Sequence, residues 1–119
     1  MANEHLRILK QGVERWNKWR LENAIRPNLG RADLSGASLS DADLSSSDLS
    51  DAKLSGADLS GADLSDASLN GADLSEVDLS AAEGLTQAQL DQACGTNAKL
   101  PPGLTLCPCL IDWRPPEVP

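Results

Sequence analysis

The chain has 119 residues, a formal charge of −8 and 40% hydrophobic residues, yet it contains no phenylalanine and no tyrosine. That length holds one domain, whose core has to be aliphatic because the large aromatics that dominate ordinary cores are nearly missing. A net-acidic chain is a poor direct binder of nucleic acid, which demands basic surface, and no apolar run approaches the length of a membrane span.

Charge is unevenly spread. Residues 1–26 carry a net +3, residues 27–81 a net −9 and residues 82–119 a net −2. This division matches three segments of different pattern. In the first, about 3–23 reads as one helix, with Leu6, Leu9, Val13 and Trp16 on a single apolar stripe and Glu14 spaced to meet Lys18. Pro27 is expected to stop it. The start, MANEHLRILKQ, lacks the apolar centre of a signal peptide, so a cytoplasmic location is expected. His5 reads as a solvated helix residue rather than a catalytic one.

Residues 27–81 repeat every five residues around leucine, at Leu34, Leu39, Leu44, Leu49, Leu54, Leu59, Leu64, Leu69 and Leu74, with Leu29 and Leu79 at the ends. Two residues before each leucine stands a small residue, usually alanine; Pro27 and Val77 are exceptions at the two ends. Neither the helical period of 3.6 nor the strand period of 2 gives this pattern. A sustained period of five means a solenoid. If each unit forms one side of a square coil, four units make a turn of twenty residues. Leucine and the small residue then point inward, and successive coils stack as parallel strands about 4.8 Å apart. The serines that follow the leucines read as turn formers whose hydroxyls bond nearby backbone.

This run resembles the pentapeptide-repeat family, whose units read A(D/N)LXX. The resemblance implies an all-β solenoid, a right-handed quadrilateral parallel β-helix of about three coils. The N-terminal α-helix and a short C-terminal helix would serve as caps. The flanks LKQGVERWNKWR and GLTQAQLDQACGTNAKLPPGL look like those of bacterial members. Lys53 departs from the pattern by replacing the usual Asp or Asn.

After residue 81 the leucine register breaks at Gly84. Thr86 and Gln89 form a capping-box pattern for a helix over about 87–94 that Gly95 would end. The stretch 113–119 is proline-rich and reads as loose. Trp16, Trp19 and Trp113 are expected to cover the ends of the rod. Cys94, Cys107 and Cys109 are an odd set, so free thiols are the default in a cytoplasm. A disulfide from Cys94 to Cys107 or Cys109 is the open alternative. A metal would want a fourth ligand that the neighbouring sequence lacks, and no cofactor, metal or catalytic constellation is expected.

Residues twenty apart should stack into four columns on the outside. Asp33, Lys53 and Asp73 form a column in which Lys53 bridges two carboxylates. Asp43, Asp58, Asp63 and Asp78, with Asp66 at a corner, form the candidate acidic interaction face, where stacked like charges oppose each other. The functional expectation is a non-enzymatic interaction or structural scaffold. Its expected partner is a protein of basic surface, with no direct nucleic-acid or membrane binding. Two copies meeting end to end would form a homodimer. The alternative comes from the resemblance, since some pentapeptide-repeat proteins inhibit DNA gyrase by imitating duplex DNA. Eleven units, just under three coils, make a rod of about 13 Å, with a charge density close to the one phosphate per ~1.7 Å of the duplex but much shorter than a bound tract.

Overall fold

The computed structural model describes residues 4–109. From Asn28 onward the backbone winds in turns of twenty residues, each turn touching the next through single-residue parallel bridges rather than through long strands. Four columns of bridges run along the axis. They join Asn28, Asp48 and Ser68; Asp33, Lys53, Asp73 and Cys94; Ser38, Asp58, Asp78 and Lys99; and Asp43, Asp63 and Glu83. The fold is a β-helix solenoid.

One unit shows why these five residue types produce this shape. In the unit around Leu54, the N–H of Lys53 reaches back to the Ala32 carbonyl at 2.8 Å, and the N–H of Leu54 reaches forward to the Asp73 carbonyl at 3.0 Å. Gly56 donates forward to Ser75 at 2.9 Å, and Ala57 closes the corner turn by donating to the Leu54 carbonyl at 2.9 Å. One N–H per unit remains, that of the residue after leucine. Wherever the middle residue is Asp, its carboxylate takes that donor, as in Ser60 to Asp58 Oδ1 and Ser65 to Asp63 Oδ1, both 3.0 Å. The Asp-Leu-Ser order thus completes the backbone accounting of a side.

The corner places its second central residue at positive φ, which makes it a type II turn. Gly61 holds φ 72°, and its missing Cβ leaves room for the Asp41 carboxylate of the coil before. Asp41, Asp51 and Asp66 accept the left-handed region at φ 58–65°, which Asp tolerates better than most residues.

The leucines of the ladder all lie inside, none more than 3% exposed, and the alanines at 32, 42, 52, 57, 62, 67 and 72 close the space between them. Ser47 occupies one of these small positions, wholly buried, with a hydroxyl that has no partner.

The N-terminal segment forms two helices instead of the single one expected, α1 (Glu4–Lys10) and α2 (Val13–Glu22). Gly12, at φ 117°, breaks the run. Helix α2 ends at Glu22, before Pro27, where Asn23 turns extended and its side chain donates to the Trp19 carbonyl. Leu9 and Trp16 of the expected stripe are buried against the first coil, with Leu6 and Val13 half-buried beside them.

The ladder does not stop at residue 81. Glu83 pairs with Asp63, Cys94 with Asp73 and Lys99 with Asp78. Helix α3 (Gln87–Asp91) stands in place of one side of this last turn, and its Thr86–Gln89 capping box is closed. Gln89 Nε2 donates to the carbonyls of Leu64 and Ala67, doing with a side chain what a neighbouring coil does with backbone. The helix is shorter than the expected 87–94 because Cys94 has already returned to the ladder. It also lengthens the turn by one residue, so the last two bridges have a spacing of 21. Trp113 and the proline-rich stretch 113–119 lie outside the described residues.

Leu54→Ala is expected to cost about 2–5 kcal/mol through lost burial and the cavity left behind, read by urea denaturation. Ser47→Ala is expected to raise stability by about 1 kcal/mol, since it removes an unsatisfied buried hydroxyl; an unchanged or lower denaturation midpoint would refute this account of the position.

Candidate functional site: an acidic face between two covered ends

The five acids expected on one face divide when placed in the structure. Asp58 and Asp78 stack as neighbours in one column, and Asp43 and Asp63 in the next. Asp66 sits at a corner with φ 58°. Asp43 is claimed by helix α2. Its carbonyl accepts from Trp16 Nε1 at 2.7 Å, its N–H donates to Asn17 Oδ1 at 2.8 Å, and its carboxylate lies 4.0 Å from Arg20 Nη2. Glu83 extends the same column at the other end. The open part of the face is therefore Asp58, Asp63, Asp78 and Glu83. Glu83 was missed because the leucine pattern fails at Gly84; the twenty-residue register counted forward from Asp63 reaches it directly.

Stacking does not neutralise Asp58 or Asp78. Two hydrogen bonds from Ser60, hydroxyl and backbone, hold Asp58 below the ordinary aspartate range against slight desolvation and the nearby charge of Asp78. Ser60 Oγ donates to it at 2.6 Å. Asp78 is lowered in the same way by Ser80, with further help from Lys99. Hydrogen bonds to the charged form therefore win over like-charge repulsion, which water screens strongly here.

In the adjacent column Lys53 stands between Asp33 and Asp73. The expected double ion pair does not form: among the described residues no ion pair within 4.0 Å involves Lys53. An exposed lysine gains little by giving up its rotamer freedom to two hydrated carboxylates. Asp33 is held low chiefly by Ser35, and Lys53 adds only long-range attraction.

At the N-terminal end, side chains supply what a preceding coil would have. Besides the contacts to Asp43, Asn17 Nδ2 donates to the Asp41 carbonyl at 3.0 Å and Arg26 Nε to the Ser46 carbonyl at 2.9 Å. His5 is not a solvated bystander: its Nδ1 accepts the Asn28 N–H at 2.7 Å, and its ring lies 5.1 Å from that of Trp19. Beside Asp33 and Ser38 the first coil is less covered, and a cleft of about 370 Å³ opens between Lys10, Gly12 and the coil edge.

At the C-terminal end the segment 104–109 crosses the last turn. Thr105 exchanges two hydrogen bonds with the Gln87 side chain, at 2.9 Å each, and Gly95 donates to the Cys107 carbonyl at 2.8 Å. Gly95 has to be glycine, because a Cβ there would lie 2.7 Å from the Leu74 carbonyl carbon and 2.8 Å from Leu106. Of the two disulfides left open by the sequence, the structure forms Cys94–Cys109; Cys107 is free and exposed.

Twenty-residue turns, a leucine-filled interior and outward Asp-Leu-Ser sides define a class of protein, the repeat solenoid with a charged outer surface. The family model for pentapeptide repeats matches residues 28–66 and 57–100, in 8 copies, and the chain belongs to the pentapeptide-repeat family. No curated protein sequence matches significantly. Among solved structures, the chain is similar to a pentapeptide repeat protein of the Arabidopsis thaliana thylakoid lumen, at 30% identity and a TM-score of 0.28, covering 67% of this chain and 58% of that one. It is also similar to HetL of the cyanobacterium Nostoc, a pentapeptide repeat protein involved in heterocyst differentiation regulation. That match has 35% identity and a TM-score of 0.20, covering 64% and 41%. A pentapeptide repeat protein of the cyanobacterium Cyanothece matches at 30% identity and a TM-score of 0.23, covering 61% and 56%. The chain thus spans less than two thirds of each of these proteins. No described helix is long and apolar enough to cross a membrane.

Because Asp58 and Asp78 have folded-state pKa values below their unfolded ones, the unfolded chain binds more protons in acid. Their contribution is complete above about pH 4 and is lost as pH falls through the depressed folded values. A Ser60→Ala, Ser80→Ala double variant is expected to show a shallower loss of Tm on acidification than the parent. NMR titration should show both carboxyl pKa values moving up. Equal pKa values in the two proteins would sink the assignment to serine.

Proposed function

We propose that the chain is a non-enzymatic binding scaffold that recognises the basic surface of another protein through Asp58, Asp63, Asp78 and Glu83, with Asp66 at the rim. The observation that carries this reading is the fixed placement of these acids. Adjacent columns set them one coil apart, about 4.8 Å along the axis, and serine hydroxyls hold Asp58, Asp63 and Asp78 in one orientation at 2.6–2.7 Å. Rigid, charged groups lose little freedom on binding and steer an oppositely charged partner. In this reading the molecule is a right-handed quadrilateral β-helix, capped by α1–α2 at one end and by α3 with the segment 104–109 at the other.

The narrower version, an imitation of duplex DNA directed at DNA gyrase, has less support. The open acids span about 5 Å along the axis, a small fraction of any bound duplex, and the N-terminal end carries the net-positive helices. In this reading two copies paired end to end meet at the cleft beside Asp33 and Ser38.

The test is affinity capture from the source cell with the parent chain and with a variant carrying Asp58→Asn, Asp63→Asn, Asp78→Asn and Glu83→Gln. The amides keep acceptor oxygens for the serines, so the fold is expected to persist by circular dichroism. A partner that the parent retains at low salt should be lost by the variant; equal capture by both would end this proposal. In a supercoiling assay the parent is expected not to inhibit gyrase, and inhibition would favour the narrower version.

A further inference from the structure

Three groups with metal-binding chemistry converge where no sequence neighbourhood suggested it. Asp73, Cys94 and Cys109 place a carboxylate oxygen and two sulfurs within 4.8 Å of one another. They come from three separate parts of the chain. The bridge between Asp73 and Cys94 fixes the first pair side by side, and the hydrogen bond from Gly95 to the Cys107 carbonyl brings Cys109 over them. The sequence offered only the cysteines; the missing ligand sits one turn back in the ladder, 21 residues away.

We propose that, once the Cys94–Cys109 disulfide is reduced, Asp73, Cys94 and Cys109 bind one zinc ion, leaving a fourth position to water. The chemistry of the donor set supports this. Two thiolates and a carboxylate suit zinc rather than the harder calcium or magnesium. Sulfurs at about 2.3 Å from a tetrahedral ion lie about 3.8 Å apart, and Cα atoms 4.9 Å apart allow that separation by side-chain rotation. Asp73 Oδ1 lies 3.6 Å from Cys109 Sγ and also accepts the Ser75 N–H at 3.0 Å, which holds the carboxylate toward the sulfurs. Cys94 is 6% exposed, so the ion is shielded on one side, whereas Cys109 is exposed and provides the way in.

The switch between the two states balances. A dithiol reductant supplies two electrons and two protons. Its first thiolate attacks Cys109 Sγ, the accessible sulfur, and Cys94 leaves as a thiolate that takes up a proton. The second thiol of the reductant resolves the mixed disulfide, freeing Cys109 as a thiol and leaving the reductant oxidised. Zinc then displaces one proton from each thiol. Disulfide and metal thus fasten the same segment, residues 104–109, over the last turn in opposite redox conditions. This inference does not rest on the acidic-face reading.

The experiment is titration of the full chain, reduced with a phosphine under anaerobic conditions, with cobalt and then with zinc in competition with a chromogenic chelator. One ion per chain is expected, with thiolate-to-cobalt charge transfer in the near ultraviolet and the visible bands of tetrahedral cobalt. Cys94→Ser and Cys109→Ser are expected to lose affinity by about 100-fold or more and Asp73→Asn by about 10-fold, while Cys107→Ser stays within about threefold. The oxidised parent, whose fold is intact, should bind none, which separates loss of ligands from loss of folding. The proposal is overturned if the reduced parent binds no metal, if the oxidised chain binds as well as the reduced one, or if Cys107→Ser abolishes binding while Asp73→Asn does not.

Discussion

Everything in this molecule depends on the backbone hydrogen bonds that tie each residue to its counterpart one turn away. A turn of twenty residues has only four short sides, each too brief to form a stable strand alone. Stability comes from repetition, because each side is held both by the turn before and by the turn after. The geometry leaves one N–H per unit without a backbone partner, and where the middle residue is Asp its carboxylate takes it. The aspartates are therefore structural residues before they are surface charge. That double duty explains how the coil tolerates Asp58 and Asp78 stacked one strand spacing apart, since the Ser60 donors stabilise the charged form of Asp58 more than the charge of Asp78 destabilises it.

A ladder of this kind has two ends with unpaired backbone, and the chain treats them differently. At the N-terminal end, His5, Trp16, Asn17 and Arg26 present side-chain donors and acceptors to single positions of the first coil. Arg20 belongs to this group as well, donating to Ser45 Oγ at 3.2 Å while leaving Nε and Nη1 unpaired. At the C-terminal end, the last turn is built from a helix, two further bridges and a segment fastened through Cys94. The surface proposed to bind a partner is what remains between these ends. Its size is set by how many acids the helices and Lys99 leave open.

The interior was legible from residues alone. Leucine every fifth position, with a small residue two before it, points to a coil with both inward, and the burial of Leu34 through Leu74 follows that spacing. The capping box at Thr86 and Gln89 was legible for the same reason, as a local pattern with a local cause. Where the pattern was interrupted, the sequence misled. Gly84 hid Glu83, Pro27 drew attention from Gly12 as the helix breaker, and the spacing of the cysteines gave no sign of Asp73.

The sequence by itself pointed to the winding of the chain, because a period of five fits neither helix nor strand and puts leucine and the small residue inside a coil with five-residue sides. It also determined the columns as far as residue 83, which need nothing but counting by twenty, whereas Cys94 and Lys99 join them at a spacing of 21. Only the tertiary structure decided which acids stay open, that His5 holds the Asn28 N–H, and which cysteine Cys94 meets. These depend on how the flanking segments fold back onto the coil, and such contacts join residues more than a dozen positions apart for which no periodicity carries a signal.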